Sequence, residues 1–291
     1  MKNAAPRILV TGATGQLGRL VIEALFDIDP AAQVSAIVRD AKAAAALSAR
    51  GVQVHVADYD KPETLDAAFA GVDRLLLISS NDLGHRFPQH RNVIEASKRA
   101  KVKLLAYTSV LHADTSTLGL AEEHRQTEAA LRASGVPFVL LRNGWYTENY
   151  AASIPSALQH GALLGSAGDG RIASASRADY AAAAARVLLS DQDQTGKIYE
   201  LAGDASYTLA QFAAELARQS GKAVAYKNLP AADFKAVLVS VGLPEGLAAL
   251  LADSDAGASQ GALFDDSRQL GALIGRPTTS LASSIAAALA G

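Results

Sequence analysis

Near its N-terminus the chain reads Thr11-Gly12-Ala13-Thr14-Gly15-Gln16-Leu17-Gly18, between the apolar run Ile8-Leu9-Val10 and a helical stretch that begins at Gln16. Three glycines at this spacing predict a tight turn, a close approach of the backbone to a ligand, and close packing of the helix. The amides and the positive dipole end of such a helix bind anions. The stretch therefore predicts a site for the pyrophosphate of a dinucleotide.

The first half of the chain alternates short apolar runs with alanine-rich helical stretches. Strands are predicted at residues 7–11, 33–38, 52–57, 74–79, 103–109 and 137–142, and helices at 16–26, 41–49, 62–69, 88–100 and 122–133. Continuous apolar runs such as Leu75-Leu76-Leu77-Ile78 are typical of strands that are buried on both faces. The alternation predicts an α/β fold of the Rossmann type, with a doubly wound parallel sheet.

The regular alternation of strands and helices breaks down after about residue 144. A loop rich in glycine and serine at 165–175 precedes a predicted helix at 178–189, a strand at 197–201 and a helix at 208–219, and the remainder is helical and less regular. We expect an NAD(P)-binding Rossmann domain at residues 1–150 and a smaller, mostly helical substrate-binding lobe at residues 151–291. A segment near 197–203 is expected to return to the sheet.

Composition narrows the class of protein. The 291 residues carry a formal net charge of −2, which argues against a nucleic-acid surface. The absence of cysteine excludes disulfides, thiolate nucleophiles and zinc–cysteine sites, and the histidines show no metal-ligand spacing, so no metal is expected. No apolar segment suits a signal peptide, and no uncharged run approaches the roughly 20 residues of a membrane span. We expect a cytoplasmic protein.

The end of the second strand indicates which dinucleotide binds. It reads Ile37-Val38-Arg39-Asp40, and an arginine at this place accommodates the 2′-phosphate of NADP, whereas an acidic residue binds the 2′-hydroxyl of NAD. Asp40 either faces the ribose or caps the next helix. We favour the cap, and we predict NADPH with Arg39 as a phosphate ligand.

Two further strand ends are candidates for cofactor contacts. Ser79-Ser80 closes the fourth strand, where such folds pass the ribose and phosphates; loop formation is the alternative. Asp58-Tyr59 closes the third strand, where it can flank the adenine, unless Asp58 only begins the next helix.

The catalytic residues of ordinary short-chain dehydrogenases are incomplete. Ser109 ends the fifth strand, where those enzymes place a catalytic serine, but no Tyr-x-x-x-Lys follows: Leu111 stands four residues after Tyr107, and the next tyrosine is Tyr146. Reduction of a simple ketone needs a strong proton donor at the developing alkoxide. The sequence therefore favours an acceptor that takes hydride readily, such as a quinone, because its product anion is delocalised.

The chain resembles the NmrA-like family of atypical short-chain dehydrogenases over nearly its whole length. In order, the motifs that carry the resemblance are Thr11–Gly18, Leu76-Leu77-Ile78-Ser79-Ser80, Gln89-His90-Arg91-Asn92-Val93-Ile94, Tyr107-Thr108-Ser109, Leu141-Arg142-Asn143-Gly144-Trp145-Tyr146-Thr147-Glu148-Asn149, Ser176-Arg177-Ala178-Asp179-Tyr180-Ala181, Tyr199-Glu200-Leu201-Ala202-Gly203 and Gly261-Ala262-Leu263-Phe264-Asp265-Asp266-Ser267. Within the family it is most similar to the bacterial quinone oxidoreductases and the triphenylmethane reductases. The resemblance implies NADPH-dependent two-electron reduction of a quinone, without flavin or metal.

The resemblance also suggests site residues. The family's cofactor positions map onto Gly12 to Leu17, Arg39, Ser79 and its neighbour Ser80, and the Asn143-Gly144 turn. Isoflavone-reductase-like members carry a catalytic lysine where this chain has His124, which either relays a proton to the quinone oxygen or is structural.

Three residues near the end of the sixth strand are the other candidates. Asn143 either bridges nicotinamide and substrate or only forms a turn. Trp145 and Tyr146 either offer flat faces to a ring substrate or pack in the core. The catalytic candidates are therefore Asn143, His124 and Tyr146. The absent Tyr/Lys pair also permits an alternative function, a non-catalytic NAD(P)-sensing regulator that acts through a protein partner. The sequence leaves the oligomeric state open.

Overall fold

The computed structural model describes residues 5–40, 42 and 44–290. In this part of the chain the strands are β1 (Arg7–Val10), β2 (Gln33–Val38), β3 (Gln53–Val56), β4 (Arg74–Leu77), β5 (Leu104–Val110), β6 (Phe138–Asn143), β7 (Ala162–Gly165), β8 (Ile198–Leu201) and β9 (Ala225–Asn228). The helices are α1 (Gln16–Ile28), α2 (Ala44–Ser48), α3 (Glu63–Phe69), α4 (Arg86–Arg99), α5 (Ala121–Ser134), α6 (Thr147–Ala151), α7 (Ile154–His160), α8 (Arg177–Leu189), α9 (Leu209–Ser220), α10 (Ala231–Ser240), α11 (Glu245–Ser259), α12 (Gln269–Ile274) and α13 (Leu281–Ala290).

The larger sheet of the described chain has seven strands in the order β3-β2-β1-β4-β5-β6-β8. The pairs that join β1 to β6 all run parallel. From β1 the chain winds outward through β2 and β3, and then it returns past β1 and winds the other way through β4, β5 and β6. The carboxyl ends of β1 and β4 therefore meet where the winding direction changes, which is where ligands bind in open α/β sheets.

The predicted fold class is confirmed. Each of the first six predicted strands is observed with its ends shifted by at most two residues. The helix predicted at 41–49 is observed as α2, and residues 41 and 43 of that prediction lie outside the described residues. The predicted strand at 197–201 is β8, at the edge of the sheet next to β6.

The chain divides into two compact units. The first comprises the described residues up to Ala113, together with Glu122–Asn143 and Arg177–Tyr199. Its sheet is covered on one face by α3, α4 and α5, whose buried side chains, Phe69, Val93 and Leu131 among them, share a hydrophobic cluster with Leu75, Leu77, Leu105 and Tyr107 of the strands. Helix α1 packs against α8, in which alanines such as Ala181 and Ala185 are fully buried, and small side chains allow helices to approach closely.

The second unit comprises Asp114–Ala121, Gly144–Ser176 and the described residues from Glu200 onward. It is mostly helical, and a capping box between Thr208 and Gln211 begins α9 where the sequence predicts a helix. The sequence did not predict the short parallel pair of β7 and β9. Unlike the four-residue strands β1 and β4, they lack a run of consecutive buried residues: β7 alternates between half-buried and buried positions, and β9 is mostly exposed.

Candidate active site

The turn after β1 and the first turn of α1 form an anion site in the first unit. Gly12 has a φ of +59°, a conformation that is strained for residues with a side chain. The Gly15 amide donates to the Gly12 carbonyl at 2.9 Å, and α1 begins at Gln16 with no side-chain cap and no acidic residue in its first turn. The first amides of a helix have no partner within the helix. They are therefore available to an anionic ligand.

Gly18 explains why α1 begins so close to the turn. A Cβ atom at this position would lie 2.3 Å from the Gly12 carbonyl oxygen and 2.8 Å from the Ala13 Cα. Only glycine allows the helix to pack this closely. The tight turn predicted at Gly12 and the close packing predicted at Gly18 are confirmed, and contact of Gly12 to Leu17 with a pyrophosphate stays a prediction.

Arg39 and Asp40 follow β2 and have different environments. The Asp40 carboxylate accepts a hydrogen bond from the Lys42 amide at 2.9 Å, which is the turn-capping arrangement. Arg39 is exposed to solvent at the carboxyl end of the sheet. The Arg39 guanidinium is thus accessible to a phosphate, whereas the Asp40 carboxylate is hydrogen-bonded within its own loop.

The residues that follow β3 are engaged with the protein. The half-buried Tyr59 forms a side-chain hydrogen bond with Thr11 at the end of β1. The Asp58 carboxylate accepts from the Asp60 amide at 3.1 Å, in the turn that leads into α3. These contacts favour the structural alternative for Asp58.

Three consecutive amides after β4 each donate to a side chain from a different element. They join Ile78 to Thr11 Oγ1 (3.0 Å), Ser79 to Thr108 Oγ1 (2.8 Å) and Ser80 to His90 Nε2 (2.9 Å). The backbone of this segment is therefore fixed at the point where the sheet reverses its winding. The side chains of Ser79 and Ser80 are half-buried there, and their contact with a cofactor stays a prediction.

Behind this segment lies a buried polar network that includes His124. Arg86 Nη1 lies 3.2 Å from His124 Nε2, and the Tyr107 hydroxyl lies 2.7 Å from His124 Nδ1. Burial, and then the positive charge of Arg86, hold the pKa of His124 well below its ordinary value. The same two causes lower the pKa of His90 to about 3. Both imidazoles are therefore neutral, and His124 is buried rather than on the helix surface.

A buried carboxylate connects the ends of β5 and β6 to α5. Ser109 Oγ donates to Glu128 Oε1 at 2.7 Å, while Arg142 Nε and Nη2 donate to the two Glu128 oxygens at 2.9 and 2.8 Å. Burial by itself raises the pKa of Glu128, but the hydrogen bonds from Arg142 and Ser109 more than offset this and lower it. The serine hydroxyl is thus committed to a structural carboxylate.

Asn143 is the last residue of β6 and pairs with Val110 of β5. Its carbonyl accepts from the Leu111 amide at 3.0 Å. Its side-chain oxygen is buried and has no hydrogen-bond partner among the residues that the structure describes. An unpaired buried acceptor costs about 1–3 kcal/mol, so this oxygen is suited to a ligand that donates a hydrogen bond.

The other candidates belong to the second unit. The Gly144 amide donates to the Leu201 carbonyl at 2.7 Å, which makes this turn part of a backbone pairing. Tyr146 is half-buried at the start of α6, and its backbone forms a bridge with Ala175. Trp145 is buried and packs against Tyr150, with ring centroids 6.4 Å apart and ring planes tilted by 52°, which favours core packing for that residue.

Sequence reasoning missed Arg86, Thr108, Glu123 and Thr127. The Glu123 carboxylate accepts from the Gly84 and Arg86 amides at 3.0 and 2.9 Å, at the start of α4. Strand alternation indicates that Thr108 faces opposite to its neighbours Tyr107 and Ser109, and this is the one signal that points to it. The contacts of Arg86 with Glu123 and of Thr127 with His90 each join residues that are 37 positions apart, so no local pattern identifies them.

The described residues contain neither a candidate metal site nor a candidate membrane span. Across 5–40, 42 and 44–290, no group of three or more histidine, aspartate or glutamate side chains could hold a metal ion. None of the helices described is long and apolar enough to cross a membrane.

The sequence profile of the NmrA-like family matches residues 4–270. The chain belongs to the NmrA-like family. Quinone oxidoreductase 2 of Escherichia coli strain K12 is 62% identical over 278 residues, which cover 96% of this chain and 97% of that protein. Both the fold class and the family indicated by the sequence are thereby confirmed.

Two solved structures resemble the chain closely. The crystal structure of NADPH-dependent quinone oxidoreductase 2 from Escherichia coli, complexed with NADPH, matches with a TM-score of 0.94 and 61% identity, over 97% of this chain and 99% of that chain. Triphenylmethane reductase of Citrobacter sp., complexed with NADP(H), matches with a TM-score of 0.92 and 38% identity, over 97% and 99% of the two chains.

Proposed function

We propose that this chain is an NADPH-dependent quinone oxidoreductase that transfers a hydride to a quinone without flavin or metal. The observation that carries the proposal is the 62% identity, over 96% of the chain, to the quinone oxidoreductase 2 of Escherichia coli, which has been crystallised with NADPH. An identity this high over the full length favours the reductase over the dinucleotide-sensing regulator.

The residues at the switch point fit a phosphorylated dinucleotide. The uncapped amides at the start of α1 suit a pyrophosphate, and the exposed Arg39 suits a 2′-phosphate because its guanidinium donates charge-assisted hydrogen bonds. We propose Gly12, Ala13, Thr14, Gly15, Gln16, Leu17, Arg39, Ser79, Ser80, Asn143 and Gly144 as the cofactor-binding residues. When bound, NADPH supplies the hydride.

Asn143 and Tyr146 are proposed to act at the reacting end of the site. The unpartnered Asn143 oxygen would accept a hydrogen bond from an amide or a hydroxyl, and so would orient the cofactor or the product. Tyr146 would offer an aromatic face to the quinone ring. Hydride addition converts the quinone into a delocalised hydroquinone anion. This anion can then take a proton from water to give the hydroquinone.

The two parts of the chain are proposed to divide this work. Residues 1–150 would bind the dinucleotide, and residues 151–291 would form most of the quinone site. Quinones and similar electrophilic aromatics are the proposed substrates, with no nucleic-acid partner. A cytoplasmic location belongs to this proposal as well.

Loss of NADPH absorbance in the presence of a simple benzoquinone tests the activity. We expect turnover in proportion to protein concentration, with one hydroquinone formed for each NADPH consumed. Protein that demonstrably binds NADPH but gives no rate above the uncatalysed reaction, with any of several benzo- and naphthoquinones, contradicts the proposal. A partner protein bound only in the presence of NADPH would then support the regulator.

A further inference from the structure

We infer that His124 is a positioning residue: it holds Arg86, and through Arg86 the Ile78–Ser80 segment at the cofactor edge, and it transfers no proton to the substrate. This inference rests on the proposed function, because it concerns the cofactor site of that reaction. It is carried by a closed set of hydrogen bonds within the first unit, in which the position of every shared proton follows from the partners.

The direction of the first bonds is set by Arg86. A guanidinium only donates, so His124 Nε2, 3.2 Å from Arg86 Nη1, must accept and carries no proton. A neutral imidazole then has its proton on Nδ1, which donates to the Tyr107 hydroxyl oxygen at 2.7 Å. Both ring nitrogens of His124 are thus used by protein partners.

On the opposite side of the network, the Ser80 amide sets the direction of the hydrogen bonds. It donates to His90 Nε2 at 2.9 Å, so the proton of His90 lies on Nδ1 and is donated to Thr127 Oγ1 at 3.0 Å. The single hydroxyl proton of Thr127 is donated to the Glu123 carbonyl at 2.8 Å. Thr127 therefore accepts from the Tyr107 hydroxyl, with which it also forms a hydrogen bond.

Arg86 closes the ring, because its Nε donates to the Ser80 carbonyl. The ring thus runs from Ser80 through Arg86, His124, Tyr107, Thr127 and His90 and back to Ser80. Each member uses its proton inside the ring or on the Glu123 carbonyl. His124 therefore has no proton to give to a substrate without breaking a buried bond.

The ring has a mechanical consequence for the cofactor edge. Ser80 is held through both peptide groups that flank its Cα, its amide by His90 and its carbonyl by Arg86. Arg86 is buried and also begins α4, and His124 Nε2 is one of the acceptors of its guanidinium. Loss of that acceptor would leave a buried charge under-satisfied and would release the segment.

Three substitutions of His124 separate positioning from proton transfer. His124→Gln places an acceptor where Nε2 stood and so keeps the contact with Arg86. His124→Asn keeps only the contact that Nδ1 makes with Tyr107. His124→Ala removes both contacts. None of the three can serve as an acid. His160→Gln, at an exposed histidine at the end of α7, is the matched control.

The readouts are the NADPH dissociation constant, measured by titration without quinone, and the separate kcat and KM of the reaction. We expect His124→Ala and His124→Asn to weaken NADPH binding about tenfold and to raise its KM, with kcat at saturation reduced less than threefold. His124→Gln should bind within about threefold of the unmodified protein. Thermal unfolding identifies any variant that does not fold, and the Gln/Asn comparison decides the matter if the alanine variant is lost.

Two outcomes overturn the inference. If all three variants lose kcat by about a hundredfold or more while NADPH binding is unchanged, His124 is a proton donor. If NADPH binding and kcat are both unchanged, His124 does not position the segment. Failure of the proposed function is distinguishable, because unmodified protein would then bind NADPH and reduce no quinone, while the titrations still test the ring.

Discussion

The Thr11 hydroxyl accepts a hydrogen bond from the Ile78 amide at 3.0 Å, and so joins the ends of β1 and β4 across 67 residues of sequence. The Thr11 amide in turn donates to the Leu76 carbonyl at 3.0 Å. The two strands whose carboxyl ends define the switch point are therefore fixed to each other by both backbone and side chain. This fixed edge is the frame on which the proposed cofactor contacts depend.

Gly18→Ala should damage the turn. Its Cβ would lie 2.3 Å from the Gly12 carbonyl oxygen, so backbone must move, and we expect a loss of about 1–3 kcal/mol in unfolding free energy. NADPH affinity should fall at least tenfold, because the amides of α1 are displaced. Urea unfolding and NADPH titration measure the two effects.

Gly246→Ala is the matched control for that change. Gly246 lies in the first turn of α11, and a Cβ there meets no atom within 4 Å. We expect its stability to be unchanged or slightly raised. Equal effects of the two substitutions would show that the close approach at Gly18 is not what requires glycine.

Arg39→Ala should weaken NADPH binding by about ten- to a hundredfold and leave NADH binding unchanged, because only NADPH carries the 2′-phosphate. Isothermal titration with both dinucleotides measures the ratio. Arg50→Ala removes the same charge from an exposed arginine that pairs with Glu23 at 2.7 Å, and should change neither affinity. An unaltered NADPH/NADH preference in Arg39→Ala would rule out this arginine as the phosphate ligand.

Asn143→Ala should reduce kcat/KM by at least tenfold without loss of stability. Its side-chain oxygen has no partner among the described residues, so its removal relieves a desolvated acceptor and breaks no bond of that atom. In contrast, Asn228→Ala removes an oxygen that accepts from the Gly168 amide at 2.9 Å, and should lower the melting temperature. Full activity of Asn143→Ala would exclude a role for this side chain in the reaction.

Stability should fall as the pH drops below 6.5. Burial keeps the pKa of His90 at about 3 and that of His124 well below its ordinary value, so the unfolded chain binds more protons than the folded one in this range. The stabilisation is complete above the unfolded pKa of about 6.5 and is lost progressively toward pH 3. Between pH 6.5 and 5 His90 should cost roughly 1.5 kcal/mol, and His124 should add to this loss in the same direction.

Urea midpoints at several pH values measure this dependence, and it should be weaker in His124→Gln than in the unmodified protein. A midpoint that is the same in the variant and the unmodified protein at every pH would mean that His124 is not held neutral.

Most of the fold of the first unit could be predicted from local sequence patterns. Apolar runs and alanine-rich stretches located the first six strands within two residues, because burial on both faces and helical periodicity are properties of neighbouring residues. The same holds for Gly12, whose φ of +59° follows from the turn that the glycine spacing predicted. Strands β7 and β9 were not predicted because, unlike β1 and β4, neither is a run of consecutive buried residues.

The chemistry of individual side chains was decided by tertiary structure. His124 stands in the polar run Glu122-Glu123-His124-Arg125-Gln126, which reads as a solvated helix face. Packing against Tyr107 and Arg86 buries it, lowers its pKa and fixes its proton. Ser109 was located correctly at a strand end, but only the fold brings Glu128 to it.

The sequence by itself determined that a dinucleotide turn opens a doubly wound sheet, because glycine dihedrals and apolar periodicity act over a few neighbouring residues. The tertiary structure decided which polar groups are paired and which are free. Within the described part of the chain, Asn143 keeps an unpaired buried oxygen, while Ser109 and His124 are hydrogen-bonded to Glu128 and Arg86. Pairing and burial depend on residues far apart in the chain, and they set both the charge of a group and its freedom to act.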